Sequence, residues 1–153
     1  MNNKNTVIFD LDGTLANIDA RRELATKPNG KLDWDVFFDS SNIKLDVPNE
    51  PVVQMAQMLA FYGFTIIIFS GRTDKTKYST RSWLTHNRIP FQKLVMRDSK
   101  INHYTPDDIL KKDMLDKYAD NDDVFLVVDD RNKVVDMWRS LGLTVFQVAD
   151  GNF

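Results

Sequence analysis

Five short apolar runs, separated by stretches of helical spacing, constrain this chain more than any other feature. They are Val7-Ile8-Phe9, Thr65 to Phe69, Leu94-Val95-Met96, Val124 to Val128 and Thr144 to Val148. Runs with little polar alternation suit parallel strands covered on both faces. Between them, Val52, Met55, Ala56 and Leu59 follow the i, i+3, i+4, i+7 rule, with Gly63 as a stop. A second helix is expected over 74–87. A third has Thr105 as N-cap, Pro106 at its first position and Asp107 and Asp108 in its first turn. Val134, Trp138 and Leu141 mark a fourth, with Gly142 after it. This β-α alternation predicts an α/β fold with a doubly wound, parallel, five-stranded, Rossmann-like sheet. At 153 residues the chain is read as one domain, 1–153.

In such sheets ligands bind beyond the carboxyl ends of the strands. Three of the runs end there in polar residues: Asp10-Leu11-Asp12-Gly13-Thr14, Ser70-Gly71-Arg72, and Asp129-Asp130-Arg131. In a parallel sheet all three sit on one edge, and Asp10, Asp12 and Asp129 come together. Clustered carboxylates repel unless a hard cation neutralises them, and an all-oxygen site suits Mg²⁺. Each element also has a plain structural reading. Asp-Gly is a common turn, Ser70-Gly71 could be only a strand-to-helix turn, and Asp129-Asp130 could be a solvated strand end. Their joint occurrence at three strand ends argues for a site.

Composition removes several classes. Hydrophobic content is 42% and charged content 27%, ordinary for a globular protein. There are no cysteines, so neither a disulfide framework nor a thiolate metal site is available. The net charge of −2 argues against a general nucleic-acid coat, though not against a small basic pocket. No apolar run is long enough to cross a bilayer, the N-terminal stretch lacks the apolar core of a secretory signal, and the cytoplasm is the expected location.

Asp10-Leu11-Asp12-Gly13-Thr14-Leu15 matches the D-x-D-G-T-[LV] motif of the haloacid-dehalogenase-like hydrolases. Ser70 after an apolar strand resembles their second motif, and Asp129-Asp130 after Val-Val resembles their fourth. The resemblance covers nearly the whole chain. It implies that Asp10 attacks phosphorus to form an aspartyl-phosphate. It implies that Asp12 protonates the leaving oxygen and then helps to deprotonate water. Mg²⁺ is expected on Asp10, the backbone carbonyl of Asp12, and Asp129, with Asp130 supporting. Ser70, Gly71, Thr14 and backbone N–H groups are expected to hold phosphoryl oxygens. Dehalogenases of the superfamily lack the second Asp, so Asp12 favours phosphoryl transfer. The third motif is a Lys or Arg. Lys111 and Lys112 are both candidates; Lys111 is preferred because Asp107, four residues earlier, is placed to orient it.

A narrower resemblance is to the 3′-phosphatase domains of the T-even phage polynucleotide kinase/phosphatases. It is carried by Val134 to Arg139, by Gln147 to Phe153, by Asp107 to Lys111, and by Arg21 and Arg72, which would be substrate or phosphate ligands. It implies a phage origin, host cytoplasm and a role in DNA or RNA repair. No G-x-x-x-x-G-K-[ST] loop occurs, so no kinase half is expected in this chain. The segment from Lys31 to Val47 has no match and is assigned to a small helical cap inserted at about 16–48. A small cap leaves an open site, able to admit a nucleic-acid 3′-phosphate end or a nucleotide. Arg21, Arg22, Lys27 and Lys31, with Arg72, Lys75, Lys77 and Arg81, could form a local basic rim. Trp34, Phe37 and Phe38 could stack bases, or form the core of the cap. His86 and His103 receive no role. The leading reading is therefore a polynucleotide 3′-phosphatase. The alternatives are a nucleotidase or small-molecule phosphatase and, in another class, a catalytically silent module that binds nucleic-acid ends.

Overall fold

The computed structural model describes residues 3–153. Its frame is a five-stranded parallel sheet in the order β5-β4-β1-β6-β7. The strands are β1 (Thr6–Phe9), β4 (Thr65–Thr73), β5 (Lys93–Arg97), β6 (Val124–Asp129) and β7 (Val145–Gln147). All five expected runs are strands. The first lies at the centre because it is apolar on both faces: Val7, Ile8 and Phe9 are all buried. Burying side chains of this size contributes about 1.5–3 kcal/mol each.

Alternation along β1, β4 and β6 divides the interior into two cores. Val7, Phe9, Ile66, Ile68, Leu126 and Val128 pack under α3 (Glu50–Phe61) and α4 (Lys77–His86). Ile8, Ile67, Phe69 and Val127 pack under α5 (Asp107–Tyr118) and α6 (Asn132–Ser140). Helices on both faces explain why the strands carry so little polar alternation.

Between β1 and α3 the chain forms a small lobe. Its elements are β2 (Ala16–Asn17), α1 (Asp19–Ala25), α2 (Trp34–Phe37), a 3₁₀ turn (Ser40–Leu45) and β3 (Val47–Pro48). β2 and β3 pair antiparallel and close the insertion at its base. Phe37 and Ile43 send the lobe's side chains into the α3/α4 core. No helix among the described residues is long and apolar enough to cross a membrane.

Several boundaries differ from the sequence expectation. The second strand does not end at Phe69; it runs through Ser70-Gly71-Arg72 to Thr73 with a register irregularity against β5. The second helix starts at Lys77, because Asp74–Thr76 form a 3₁₀ turn. The third helix starts one residue late. Pro106 is its N-cap, its carbonyl accepts the Leu110 N–H, and Thr105 offers its carbonyl to Arg97 instead. The fourth ends at Ser140, leaving Leu141 beyond it.

Candidate active site

β1 delivers Asp10 to the centre of the sheet's carboxyl edge, between the ends of β4 and β6. Its N–H still donates to Val128 O (2.9 Å), so the backbone is fixed by the sheet. Lys111 Nζ, reaching in from α5, donates to Asp10 Oδ1 (2.7 Å), and Thr14 Oγ1 donates to Oδ2 (2.8 Å). The same ammonium donates to Asp129 Oδ2 (2.8 Å). Asp129 is held further by Trp138 Nε1 on Oδ2 (3.2 Å) and by the N–H groups of Asp130 (2.9 Å) and Arg131 (3.5 Å) on Oδ1.

Oxygens of Asp10, Asp129 and Asp130 all lie within 4.8 Å of one another. Three carboxylates face one ammonium, a formal excess of two negative charges in a buried place. Burial pushes the Asp10 carboxyl well up; Lys111 pulls it down, while Asp129 and Asp130 push it further up. Burial and then Asp129 raise Asp130. Burial opposes the charge of Lys111, but Asp10 and Asp129 outweigh it and hold its pKa far above the ordinary lysine range. An all-oxygen, over-negative cluster of this kind fits a hard divalent cation such as Mg²⁺, with Asp10, Asp129 and Asp130 as the carboxylates that would hold it.

Gly13 makes the turn that follows possible. Its φ is +83°, and a Cβ there would lie 2.2 Å from Asp130 Oδ2. Any side chain would be strained and would collide with the carboxylate cluster. The turn swings Asp12 away from Asp10 into a second cluster, against the small lobe.

There Arg21 Nη2 (2.8 Å), Arg72 Nε (2.9 Å) and Arg72 Nη2 (2.5 Å) all donate to Asp12 Oδ1. Oδ2 has no protein donor among the described residues. Asp46 completes the cluster. It accepts from Arg21 Nε (2.9 Å) on Oδ1, and from Arg21 Nη2 (3.0 Å) and Arg72 Nη2 (2.7 Å) on Oδ2. Arg21 and Arg72 are both 0% exposed, whereas the Asp12 side chain is 22% exposed. Burial works to raise the Asp12 carboxyl, but the guanidiniums of Arg72 and Arg21 overcome it and the net shift is downward. For Asp46 burial wins and the shift is upward.

On the other flank, the Ser70 hydroxyl accepts the Arg72 N–H (3.1 Å), which leaves its hydrogen for another acceptor. Gly71 gives its carbonyl to Arg97 Nε (3.0 Å), and a Cβ on Gly71 would meet Asp107 Oδ1 at 3.1 Å.

The structure thus gathers Asp10, Asp12, Lys111, Asp129, Asp130, Ser70 and Gly71 on one edge, and it differs from the expectation at several points. The third carboxylate beside Asp10 and Asp129 belongs to Asp130, because Asp12 is drawn to the arginines. Thr14, expected to hold a phosphoryl oxygen, is fully buried and donates to Asp10. Arg21 and Arg72 donate to Asp12, Asp46, Phe37 O and Thr80 and are fully buried, so they are not part of an exposed rim. Asp107 does not orient Lys111: it pairs with Arg97 (2.6 Å) and Arg131 (2.7 Å). Lys112 points outward to Asp116. The aromatic trio forms a lobe cluster: Phe37 is buried under the Arg21 guanidinium (4.4 Å), and the half-buried Phe38 stacks on the exposed Trp34. Asp46, Arg97, Arg131 and Trp138 were not singled out from sequence for these contacts. Trp138 carried a signal as part of an apolar stripe, and Arg131 as part of a polar strand end.

Comparison with known proteins places this geometry. The family model described as the polynucleotide kinase PNKP phosphatase domain matches residues 4–153. The solved Pnkp1/Rnl/Hen1 complex contains a chain 34% identical, with a TM-score of 0.78 over 97% of this chain and 47% of that one. A predicted phosphatase from Clostridium acetobutylicum is 14% identical, with a TM-score of 0.72 over 94% of this chain and 83% of that one. A haloacid-dehalogenase-family enzyme of Bacteroides thetaiotaomicron, solved with magnesium and inorganic phosphate, is 15% identical, with a TM-score of 0.59 over 97% and 96%. The last two share the fold. The chain spans about half the length of the Pnkp1 complex chain that it matches.

Proposed function

Because this chain belongs to the PNKP phosphatase-domain family of haloacid-dehalogenase-like phosphatases, we propose that it is a Mg²⁺-dependent phosphomonoesterase that removes 3′-phosphates from nucleic-acid ends through an aspartyl-phosphate on Asp10. The observation that carries the chemistry is the pairing at the end of β1. Asp10 sits in an over-negative carboxylate cluster on Lys111, and Asp12 is held two residues away with one free oxygen.

Asp10, Asp129 and Asp130 would hold Mg²⁺, with the Asp12 main-chain carbonyl as the further oxygen that the family resemblance implies, and the ion would supply the positive charge that lets an anionic nucleophile approach an anionic phosphate. The remaining work falls to the chain's own groups. An Asp10 oxygen attacks phosphorus as the ester P–O bond breaks, and Asp12 gives its proton from Oδ2 to the departing oxygen. Water then attacks phosphorus and loses a proton to Asp12; the Asp10–P bond breaks and inorganic phosphate leaves. Lys111 aims Asp10 and favours its ionised form against the burial that opposes it, and the Ser70 hydroxyl donates to a phosphoryl oxygen. The arginine pair holds Asp12 as an anion in the free enzyme. A phosphate dianion alongside raises its pKa, so proton uptake by Asp12 is coupled to substrate binding.

The substrate class rests on the family and on the likeness to a chain of an RNA repair complex. The test is Mg²⁺-dependent phosphate release from 3′-phosphorylated oligonucleotides, set beside a panel of nucleoside monophosphates. Oligonucleotides should be turned over with the higher kcat/KM. Preference for free monophosphates would assign the same chemistry to a nucleotidase, and silence toward every ester including an aryl phosphate would leave a binding module.

A further inference from the structure

The short loop between β5 and α5 is exposed in its side chains yet fixed in its backbone. Arg97, buried at the end of β5, is its clamp. Nε donates to Gly71 O, Nη1 to both Asn102 O and Thr105 O (2.6 Å each), and Nη2 to Asp107. Asp98 Oδ1 accepts the N–H groups of Lys100 (2.8 Å) and Ile101 (3.2 Å). The Ser99 N–H reaches Asp74 Oδ1 (3.3 Å), tying the loop to the turn that follows β4.

Both segments leave the carboxyl edge of the sheet on the Ser70-Gly71 side of the site. What they show to water is unusual for an anionic protein. Tyr104 is 92% exposed and Tyr78 is 88% exposed. His103 and Tyr104 support each other edge to face, with ring centroids 4.5 Å apart. Lys75 and Lys77 in the segment after β4, and Lys100 in the loop itself, are exposed as well. A clamped backbone that displays aromatic rings among lysines has already lost the conformational freedom that binding would otherwise cost. Rings supply stacking surface for any base, and ammoniums take backbone phosphates.

We propose that Tyr104 and His103, with Lys75, Lys77, Tyr78 and Lys100, form a track for single-stranded nucleic acid. This track holds the nucleotides just inside the 3′-phosphorylated end, an inference that rests on the 3′-phosphatase reading above. Bases stack on the His103–Tyr104 pair, and the lysines contact the phosphodiesters leading to the site. The track makes the enzyme prefer a chain end over a mononucleotide without touching the reacting phosphate.

The experiment is a steady-state length series, from a nucleoside 3′-monophosphate to a 3′-phosphorylated hexanucleotide. It compares wild type, a Tyr104→Ala/His103→Ala variant and a Lys75→Ala/Lys100→Ala variant, with an aryl phosphate as control. In wild type KM falls with length. In the aromatic variant the hexanucleotide KM rises about tenfold or more, with kcat unchanged. In the lysine variant the slope of log KM against log salt is lowered by roughly 1.4, two single-strand contacts. Both variants keep aryl-phosphate turnover within about twofold, since neither touches the cluster around Asp10. Variants that retain the full length dependence and salt slope overturn the track alone. A wild-type enzyme whose KM ignores length removes the polynucleotide reading, and the track with it.

Discussion

Two charge clusters meet at the Asp10–Asp12 turn, and they are balanced differently. On the α5/α6 side, Asp10, Asp129 and Asp130 face Lys111 alone. On the lobe side, Asp12 and Asp46 face Arg21 and Arg72, charge for charge. The first cluster is incomplete without a cation; the second is complete in itself and serves to aim Asp12. Burial works to raise both carboxyls, yet the net shifts are opposite two residues apart: Asp10 goes up, while Arg72 and Arg21 hold Asp12 down. The lesson is that the ionised Asp10, which awaits a metal, costs stability in the metal-free protein, whereas the ionised Asp12, which the guanidiniums hold, supports it.

Asp10→Asn breaks the comparison most strongly. Turnover should fall on the order of 10⁴-fold or more, as for loss of a nucleophile elsewhere. The same change should raise the Tm of the metal-free protein. Asp10 has a folded pKa above its unfolded value, so its ionisation removes stability as pH rises from the ordinary carboxylate range through the raised value. Melting curves at several pH values check the sign, because the variant's advantage should vanish as pH falls through that window. A variant less stable than wild type at neutral pH would show that the cluster is not over-negative.

Asp46→Ala attacks the other cluster and should do the reverse. It strands two buried guanidiniums on one partly exposed carboxylate. Removing one partner of a buried pair costs about 3–5 kcal/mol, roughly 6–20 °C in Tm for a chain of this size. Activity measured well below the new Tm should also drop in kcat more than in KM, because Asp12 loses its aim. Chemical denaturation together with kinetics at low temperature separates the two effects.

A third outcome concerns Mg²⁺ affinity. A cation binds the carboxylate form, and Asp10 holds its proton to unusually high pH in the metal-free site. Affinity should therefore weaken as pH is lowered through the raised Asp10 value, by up to about tenfold per pH unit for one proton displaced. Calorimetry across pH, with proton release read from the buffer ionisation enthalpy, checks it. Chelation should abolish turnover throughout.

The two clusters were also unequally legible in the sequence. The one around Asp10 could be read because each of its carboxylates follows a strand: the apolar runs before Asp10 and Asp129 fix both the topology and the edge on which the carboxylates emerge. The aiming cluster could not. Asp46 sits in an irregular segment with no periodicity, and its burial depends on Trp83 Nε1 donating to its carbonyl and on the two arginines arriving from α1 and β4. Arg21 and Arg72 were recognised as important, but the acids they meet were not, since a chain of residues does not say which buried acid an arginine reaches. Asp107 was misread for a related reason. An i, i+4 pair with Lys111 is the local expectation, but Arg97 and Arg131, brought in by the sheet, compete for the carboxylate and win.

The smallest expected effect sharpens the comparison by its absence. Lys111 and Lys112 are neighbours with the same side chain, and only the helical rotation of about 100° between them separates their fates. Lys111 is 3% exposed between two carboxylates; Lys112 reaches Asp116 across one turn at the surface (2.6 Å). An exposed i, i+4 pair contributes only about 0.3–0.5 kcal/mol. Lys112→Ala should therefore shift Tm by no more than about 2 °C and leave kcat and KM within experimental error. Lys111→Ala, by contrast, leaves three carboxylates without their counter-ion, and its stability and residual turnover should both depend steeply on Mg²⁺ concentration. If Lys112→Ala instead reproduced that Mg²⁺ dependence, α5 would present a different face to the site, and the assignment of Lys111 as the charge that balances Asp10 would fall.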